Sequence, residues 1–319
     1  MPALLPSAAL LWLSTAADLT FLGGAEVNAS PHGIANLAYQ DGPWSVALIT
    51  DTLDLRWSPE GQRGRAWLAV RGEVASVGVL NTPWQDGAPV AGFNGFYAGT
   101  EGGAVRYGRD GWYAGAAGMA RQVWFTPGKA DPSDVPDNGF WGSAEGLLGR
   151  WSPTFHVWMR AGVQHDGIGA RVQPHAALTA TTAFSRTWAP RAEVRAAWAD
   201  GQSVLTATRV GGLNPYVVPI AGAGWGEWWA ESYAAVRLGP QATWNHNNST
   251  WSHAVVVDAA ALQDVRTTEA DTVWGIGALQ RWSGERWYVA ADIGLGAGVK
   301  RASGDMAMDA LVLVGTPSR

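Results

Sequence analysis

The chain has no cysteine, little charge and no long apolar run, and each shortage removes a class of protein. Without cysteine there is neither a disulfide framework nor a thiolate metal site, and the absence suits an exported protein that avoids stray oxidation. Charged residues are 15% of the 319 positions, well below the roughly 25% of a soluble domain. Beyond the N-terminus no run reaches the about 18 apolar residues that a membrane-spanning helix requires. Residues 210–226 are uncharged, but Pro215, Pro219 and five glycines break any helix there. Net charge is −5 and the basic residues never form a run, which argues against a nucleic-acid partner.

What is abundant points the other way. Twenty tryptophans and 41 glycines are far more than a soluble core can use, because each buried indole needs a partner for its N–H. Two membrane–water interfaces do use them, since indoles settle where apolar and wet layers meet. Glycine at this level suits closely approaching strands. The expectation is an all-β protein, a transmembrane antiparallel up-and-down β-barrel of about 14–16 strands in a Gram-negative outer membrane. Residues 1–17 carry no charge, and their apolar stretch ends in Ser14-Thr15-Ala16-Ala17. That pattern reads as a signal peptide, leaving 18–319 as a single barrel domain.

Period-two alternation supports the barrel. In residues 154–164, Phe155, Val157, Met159, Ala161 and Val163 alternate with Thr154, His156, Trp158, Arg160 and Gln164. Residues 64–73 set Ala66, Leu68 and Val70 against Arg65, Trp67, Arg71 and Glu73. Arg191, Glu193 and Arg195 oppose Ala192, Val194, Ala196 and Trp198. Arg286, Tyr288 and Asp292 oppose Trp287, Val289, Ala291, Ile293 and Leu295, while Glu227, Glu231 and Arg237 oppose Trp228, Ala230, Ala234, Val236 and Leu238. An arginine facing lipid at the bilayer midplane costs roughly 2–4 kcal/mol, so these charges are assigned to a hydrated lumen. Their mixed sign argues against strong ion selectivity.

Breakers suggest the topology. Short connections are expected at 60–63, 109–111, Ser152-Pro153, Ala189-Pro190, Gly239-Pro240 and Ser283-Gly284. Longer ones fall at 81–90, 126–138, 165–170, 210–224, 264–270 and 297–304, alternating with the short ones as periplasmic turns alternate with outer loops. Counting back from a last strand at 305–315 gives fourteen strands from His32, and residues 20–28 can add a pair. Asp200-Gly201 is read as a kink within one strand, since a hairpin there would break the alternation.

The C-terminal third carries a family resemblance. Gly211-Gly212 precedes a long loop, followed by Gly226-Glu227-Trp228-Trp229-Ala230-Glu231, then Val255-Val256-Val257-Asp258-Ala259-Ala260, then the hairpin from Trp274 to Gly296. In that order these resemble the bacterial surface-antigen barrel superfamily, which includes outer-membrane assembly factors and two-partner secretion transporters. The resemblance implies an outer-membrane barrel of the assembly or transport kind. Loop 210–224 is itself apolar, proline-stiffened and uncharged, unlike a solvated outer loop, so it is expected to fold inward. Two departures set this chain apart: Leu213-Asn214-Pro215-Tyr216-Val217-Val218-Pro219 stands where the family has arginine-glycine-aromatic, and no stretch of this sequence is expected to form the periplasmic repeats that receive client proteins.

The expected function is therefore porin-like transport or translocation, with loop 210–224 (Gly211, Gly212, Asn214, Pro215, Tyr216 and Pro219) as plug or gate. The expected partners are the lipid bilayer and periplasmic or outer-membrane proteins. The polar stretch 244–250 faintly resembles the His, Ser and Asn of outer-membrane phospholipase A, but it reads as a polar turn, with no acidic partner identifiable nearby. Asp131, Asp134 and Asp137 read as a solvated loop rather than a calcium site, and the six histidines lack metal-ligand spacing. No catalytic residue, cofactor or metal is assigned. The competing readings are a lipid-acting hydrolase and a structural or adhesin-like barrel.

Overall fold

A computed structural model describes residues 9–23, 26–49, 52–61, 64–75, 84–85, 88–89, 93–128, 131–135, 137–165, 172–182, 188–201, 207–213, 217–224, 226–267, 270–284, 287–301 and 306–315. Eighteen strand segments form one antiparallel sheet. Two of them, Glu60–Gly61 and Thr208–Val210, prolong a preceding strand along the same neighbour, so the described wall has sixteen staves. In chain order these are β1 Ala9–Gly23, β2 Glu26–Asp41, β3 Trp44–Ile49, β4 Thr52–Trp57, β5 Gly64–Ala75, β6 Asn94–Tyr107, β7 Trp112–Thr126 and β8 Gly139–Trp151. They continue as β9 Phe155–His165, β10 Gln173–Thr182, β11 Trp188–Ala199, β12 Trp228–His246, β13 Ser249–Asp264, β14 Ala270–Ser283, β15 Tyr288–Gly296 and β16 Ala307–Gly315. Every stave pairs with its sequence neighbour, and β1 pairs with β16 from Ser14↔Gly315 to Phe21↔Met308. The sheet thereby closes and leaves no edge to lipid.

The strand expected from His32 begins at Glu26 as β2; fifteen staves rather than fourteen run from it to β16, because residues 44–57 form two strands, and β1 adds the sixteenth. β1 includes residues 9–17, the stretch that reads as a leader. β11 ends before Asp200-Gly201, and Thr208–Val210 pairs with β12 in the same direction, so the break is not a hairpin.

Two expected turns are corrected. Ala189-Pro190 and Gly239-Pro240 lie inside β11 and β12, with Pro190 directly opposite Pro240. Proline has no N–H, so such a pair can stand only at a position that exchanges no hydrogen bonds across the shared ladder. The β12–β13 ladder is interrupted beside it, between Leu238↔Val257 and Gln241↔Ala254. The turn is displaced to Asn247-Asn248, whose φ of 46° and 60° make the two-residue turn that asparagine tolerates.

The outer face follows from the alternation. Val46, Leu55, Leu68, Val70, Met159, Val194, Leu238, Val255, Val257, Ile276 and Ile293 all point outward and are exposed. Indoles bound this band at both ends: Trp44, Trp112, Trp188, Trp244 and Trp251 beside the short turns, Trp124, Trp198 and Trp274 toward the long loops. Trp188 and Trp198 lie ten positions apart on β11. At about 3.3 Å per residue and a tilt near 40° they span about 25 Å of height, matching the apolar band of outer-membrane barrels. No described helix is long and apolar enough to cross a membrane, so the strands do the spanning.

Candidate functional site

Inside the wall the two sides differ. On β13 to β15 the inward residues are buried in strict alternation, because the segment 210–224 lies against them. Leu213, Val217, Val218, Ile220, Ala221 and Ala223 are each no more than 4% exposed. Leu213 and Ala221 pack with Ala254, Val256, Leu279 and Leu311 of the inner wall. Val218, Ile220 and Ala223 pack with Ala235, Ala260, Leu262, Val273 and Ala307. Fully burying one such side chain is worth about 1.5–3 kcal/mol, so the loop holds its place chiefly through apolar contact. Its backbone also folds on itself: Gly211 N–H donates to Val218 O at 2.9 Å, and Ile220 N–H to Gly212 O at 3.1 Å.

The tip of the loop is seated by wall carboxylates. Ala221 N–H donates to Asp258 Oδ2 at 3.0 Å, Gly222 N–H to Asp309 Oδ1 at 2.5 Å, and Gly224 N–H to Glu227 Oε2 at 2.7 Å. These are charge-assisted bonds between buried groups, where a low local dielectric strengthens them. Close approach is possible because the wall beneath is glycine. A Cβ on Gly275 would overlap the Ala221 carbonyl oxygen, and one on Gly294 would stand 2.5 Å from Gly222 N. Gly222 itself has φ +82°, which few other residues would accept.

Arg301 fastens this arrangement. It enters from the last outer loop with its side chain fully buried. It bonds both Glu227 oxygens at 2.8 and 2.9 Å and Gly222 O at 2.8 Å. Burial pushes the Glu227 carboxyl above its ordinary range, and the Arg301 charge and Gly224 amide pull it back down. Above the loop, Arg209 lies 3.4 Å from the centre of the Trp229 ring, with Arg266 at 5.2 Å and Phe93 edge-on. Arg266 is held in turn by Asp264, its Nε 2.8 Å from Oδ1.

The expected lumen charges are placed as follows. Arg237 is buried and makes a bidentate pair with Asp258 at 2.6 and 2.8 Å. Glu193 bonds Arg195 and lies 4.0 Å from Arg191, while Arg195 also reaches Val217 O of the loop at 3.3 Å. Asp292 sits 3.6 Å from Arg281, and Arg160 sits 3.7 Å from Glu145. Arg65 takes the mouth beside the short turns, bonding Ser58 Oγ at 2.8 Å. Glu227 belongs to the loop seat rather than to an open wall. Glu231 lies in the bulge between Ala230 and Ser232 and accepts from the Gly201 amide at 2.6 Å. Arg71 and Glu73 pair at lumen-side positions of β5, but their side chains lie outside the described residues, as do Asn214, Pro215, Tyr216 and Arg286 entirely. Gly211, Gly212 and Pro219 are buried with the rest of the loop.

Sequence reasoning missed Arg301, Asp309, Glu101, Glu145 and Asp264 as partners. Asp309 and Glu145 could have been found from inward parity, whereas Arg301 lies in a loop with no periodicity. The polar stretch 244–250 forms the β12–β13 turn, where Ser249 Oγ donates to His246 O at 2.6 Å and no carboxylate orients the histidine. Among the described residues no group of three or more His, Asp or Glu could hold a metal ion.

No protein-family model and no curated protein sequence matches the chain. Solved structures do. CdiB from Acinetobacter baumannii superposes with a TM-score of 0.60 at 12% identity, over 96% of this chain and 60% of that one. CdiB from Escherichia coli gives 0.61 at 9%, over 95% and 62%. BamA from Haemophilus ducreyi lacking POTRA domains 1–3 gives 0.59 at 10%, over 96% and 70%. The chain thus spans about three fifths of the length of the CdiB structures it matches. It has the fold of the surface-antigen barrels, and with its lipid-facing band and double aromatic belt it is an outer-membrane β-barrel.

Proposed function

We propose that this barrel is a gated outer-membrane channel, in which segment 210–224 is the plug and the lumen beside it the path for transport or translocation. The observation that carries the reading is the burial of Leu213, Ile220 and Ala221 against the inner wall, with their backbone tied to Asp258 and Asp309. Those ties are few and polar, so a change in one partner weakens the docking of the segment without dismantling the wall. The reading involves no catalytic step. CdiB and BamA share the fold at identities near a tenth, so protein partners belong to the proposal rather than to the likeness.

The test is deletion of residues 213–223 in the full chain. A raised single-channel conductance and faster uptake of large antibiotics are expected. Unchanged conductance and uptake, with the barrel still folded, would remove the plug reading.

A further inference from the structure

Opposite the plug, the wall from β4 to β9 is finished in a different chemistry. Its inward face carries one or more aromatic rings on every strand from β5 to β9: Trp67, Tyr97, Tyr113, Trp141 and Trp158, all half-buried. The register shows that they are inward: Trp67 pairs with Gly103, Tyr113 with Gly149, and Trp158 again with Gly149 from the other side. Two rings lie against these glycines. A Cβ on Gly103 would stand 2.5 Å from the Trp67 ring, and one on Gly149 would overlap the Tyr113 ring.

Among and above the rings stand closed sets of charges. Glu101 joins Arg56 and Arg121, each at 3.1 Å, and Arg56 reaches Asp54 at 3.4 Å. Glu145 joins Arg160 at 3.7 Å and His175 at 3.2 Å, and the Tyr113 hydroxyl meets His156 Nε2 at 2.8 Å. These ion pairs unite three arginines with three carboxylates, and Arg65, Arg71 and Glu73 occupy lumen-side positions of the same wall, so charges of both signs are interleaved along it. The Arg160 side chain is 45% exposed, so this half of the lumen is wet. Two buried ring nitrogens, Trp141 Nε1 and His175 Nδ1, have no hydrogen-bond partner among the described residues. An unmet donor or acceptor of that kind costs about 1–3 kcal/mol unless a ligand or water meets it.

We infer that this wall is a binding track for a neutral, polyhydroxylated chain, an oligosaccharide. A sugar ring has apolar C–H faces that rest on aromatic faces and a rim of hydroxyls that both donate and accept. The wall supplies the rings of Trp67, Tyr113 and Trp158, and beside them carboxylates and guanidinium groups. A purely apolar solute would have to strip water from the ion pairs, and a polymer of one charge would meet like charges as well as opposite ones along the wall. The extended backbone of a peptide is served on the other wall, where amides find Asp258 and Asp309. The inference rests on the channel reading for its purpose, but binding can be measured without transport.

The experiment is calorimetric titration of the full chain, in a detergent without a sugar head group, with maltohexaose as the neutral probe and dextran sulfate as the anionic one. Saturable binding of maltohexaose is expected, weakened by about tenfold in Trp158→Ala, the scale of one lost ring contact. Trp158→Phe keeps a ring face and should bind nearly as the parent does. The boil-dependent gel shift certifies that each variant has folded. No binding of maltohexaose, tighter binding of dextran sulfate, or unchanged binding in folded Trp158→Ala would each overturn the inference. Maltohexaose binding without any conductance would sink the channel reading alone, and conductance without binding would sink only the track.

Discussion

Replacing Arg301 by alanine tests whether the plug is held by a latch that can be drawn without harming the barrel. The change strips both contacts to Glu227 and the bond to Gly222 O, leaving a carboxylate buried without its cation. Removing one partner of a buried pair costs about 3–5 kcal/mol. Because Arg301 joins the last outer loop to Glu227 and to Gly222 of the plug, the cost falls chiefly on the docked state of the plug. Each 1.4 kcal/mol is tenfold, so the undocked population should rise by about a hundredfold to a few thousandfold. The chain has no cysteine, so Ala223→Cys introduces a single thiol at a position with no solvent exposure. A water-soluble maleimide then reports undocking as a labelling rate. In the Arg301→Ala background, labelling should accelerate by at least about a hundredfold while the boil-dependent gel shift persists. Glu227→Met combined with Arg301→Met should return the rate most of the way, since no charge is then stranded. A rate within about threefold of the parent in folded Arg301→Ala would refute the assigned energetics.

Gly275→Val should drive the same label by a different cause, because its side chain overlaps the Ala221 carbonyl oxygen, an overpacking cost of about 1–3 kcal/mol. Val257→Arg places a charge near the middle of β13 on the lipid face and should lower the urea midpoint of the refolded barrel by an amount equivalent to about 2–4 kcal/mol. An unchanged midpoint would mean that Val257 does not face lipid. Intact-mass measurement of the exported protein tests the leader reading, which expects a mature start at Asp18. That cut would leave only the pairs from Asp18↔Leu311 to Phe21↔Met308 along the β1–β16 seam, and a mass retaining Ala9 would reject it.

The wall was legible because its physics is local. Arg160 between Met159 and Ala161, or Glu193 between Ala192 and Val194, declares which side is wet, and pairing confirms those faces residue by residue. Prolines misled where two breakers neutralised each other: Pro190 and Pro240 each announce a turn alone, but facing one another they fit inside a ladder. The apolar character of loop 210–224 marked it as unlike a solvated loop, and it is buried. Its partners were not legible. Arg301 and Glu227 are 74 positions apart, and Gly222 and Asp309 are 87 apart, distances over which no periodic pattern carries information. Nor could parity separate a charge that seats the plug, such as Glu227, from one that lines open water, such as Arg160.

The seam where β1 meets β16 has a consequence in time. Every other stave can pair with a neighbour already made, but Ser14 must wait for Gly315, so closure joins the first strand to the last. Loop-closure entropy and high contact order make that final contact slow. Until it forms, the chain is an open sheet with two unpaired edges and an apolar band facing water. The barrel therefore depends, between synthesis and closure, on something that covers those edges.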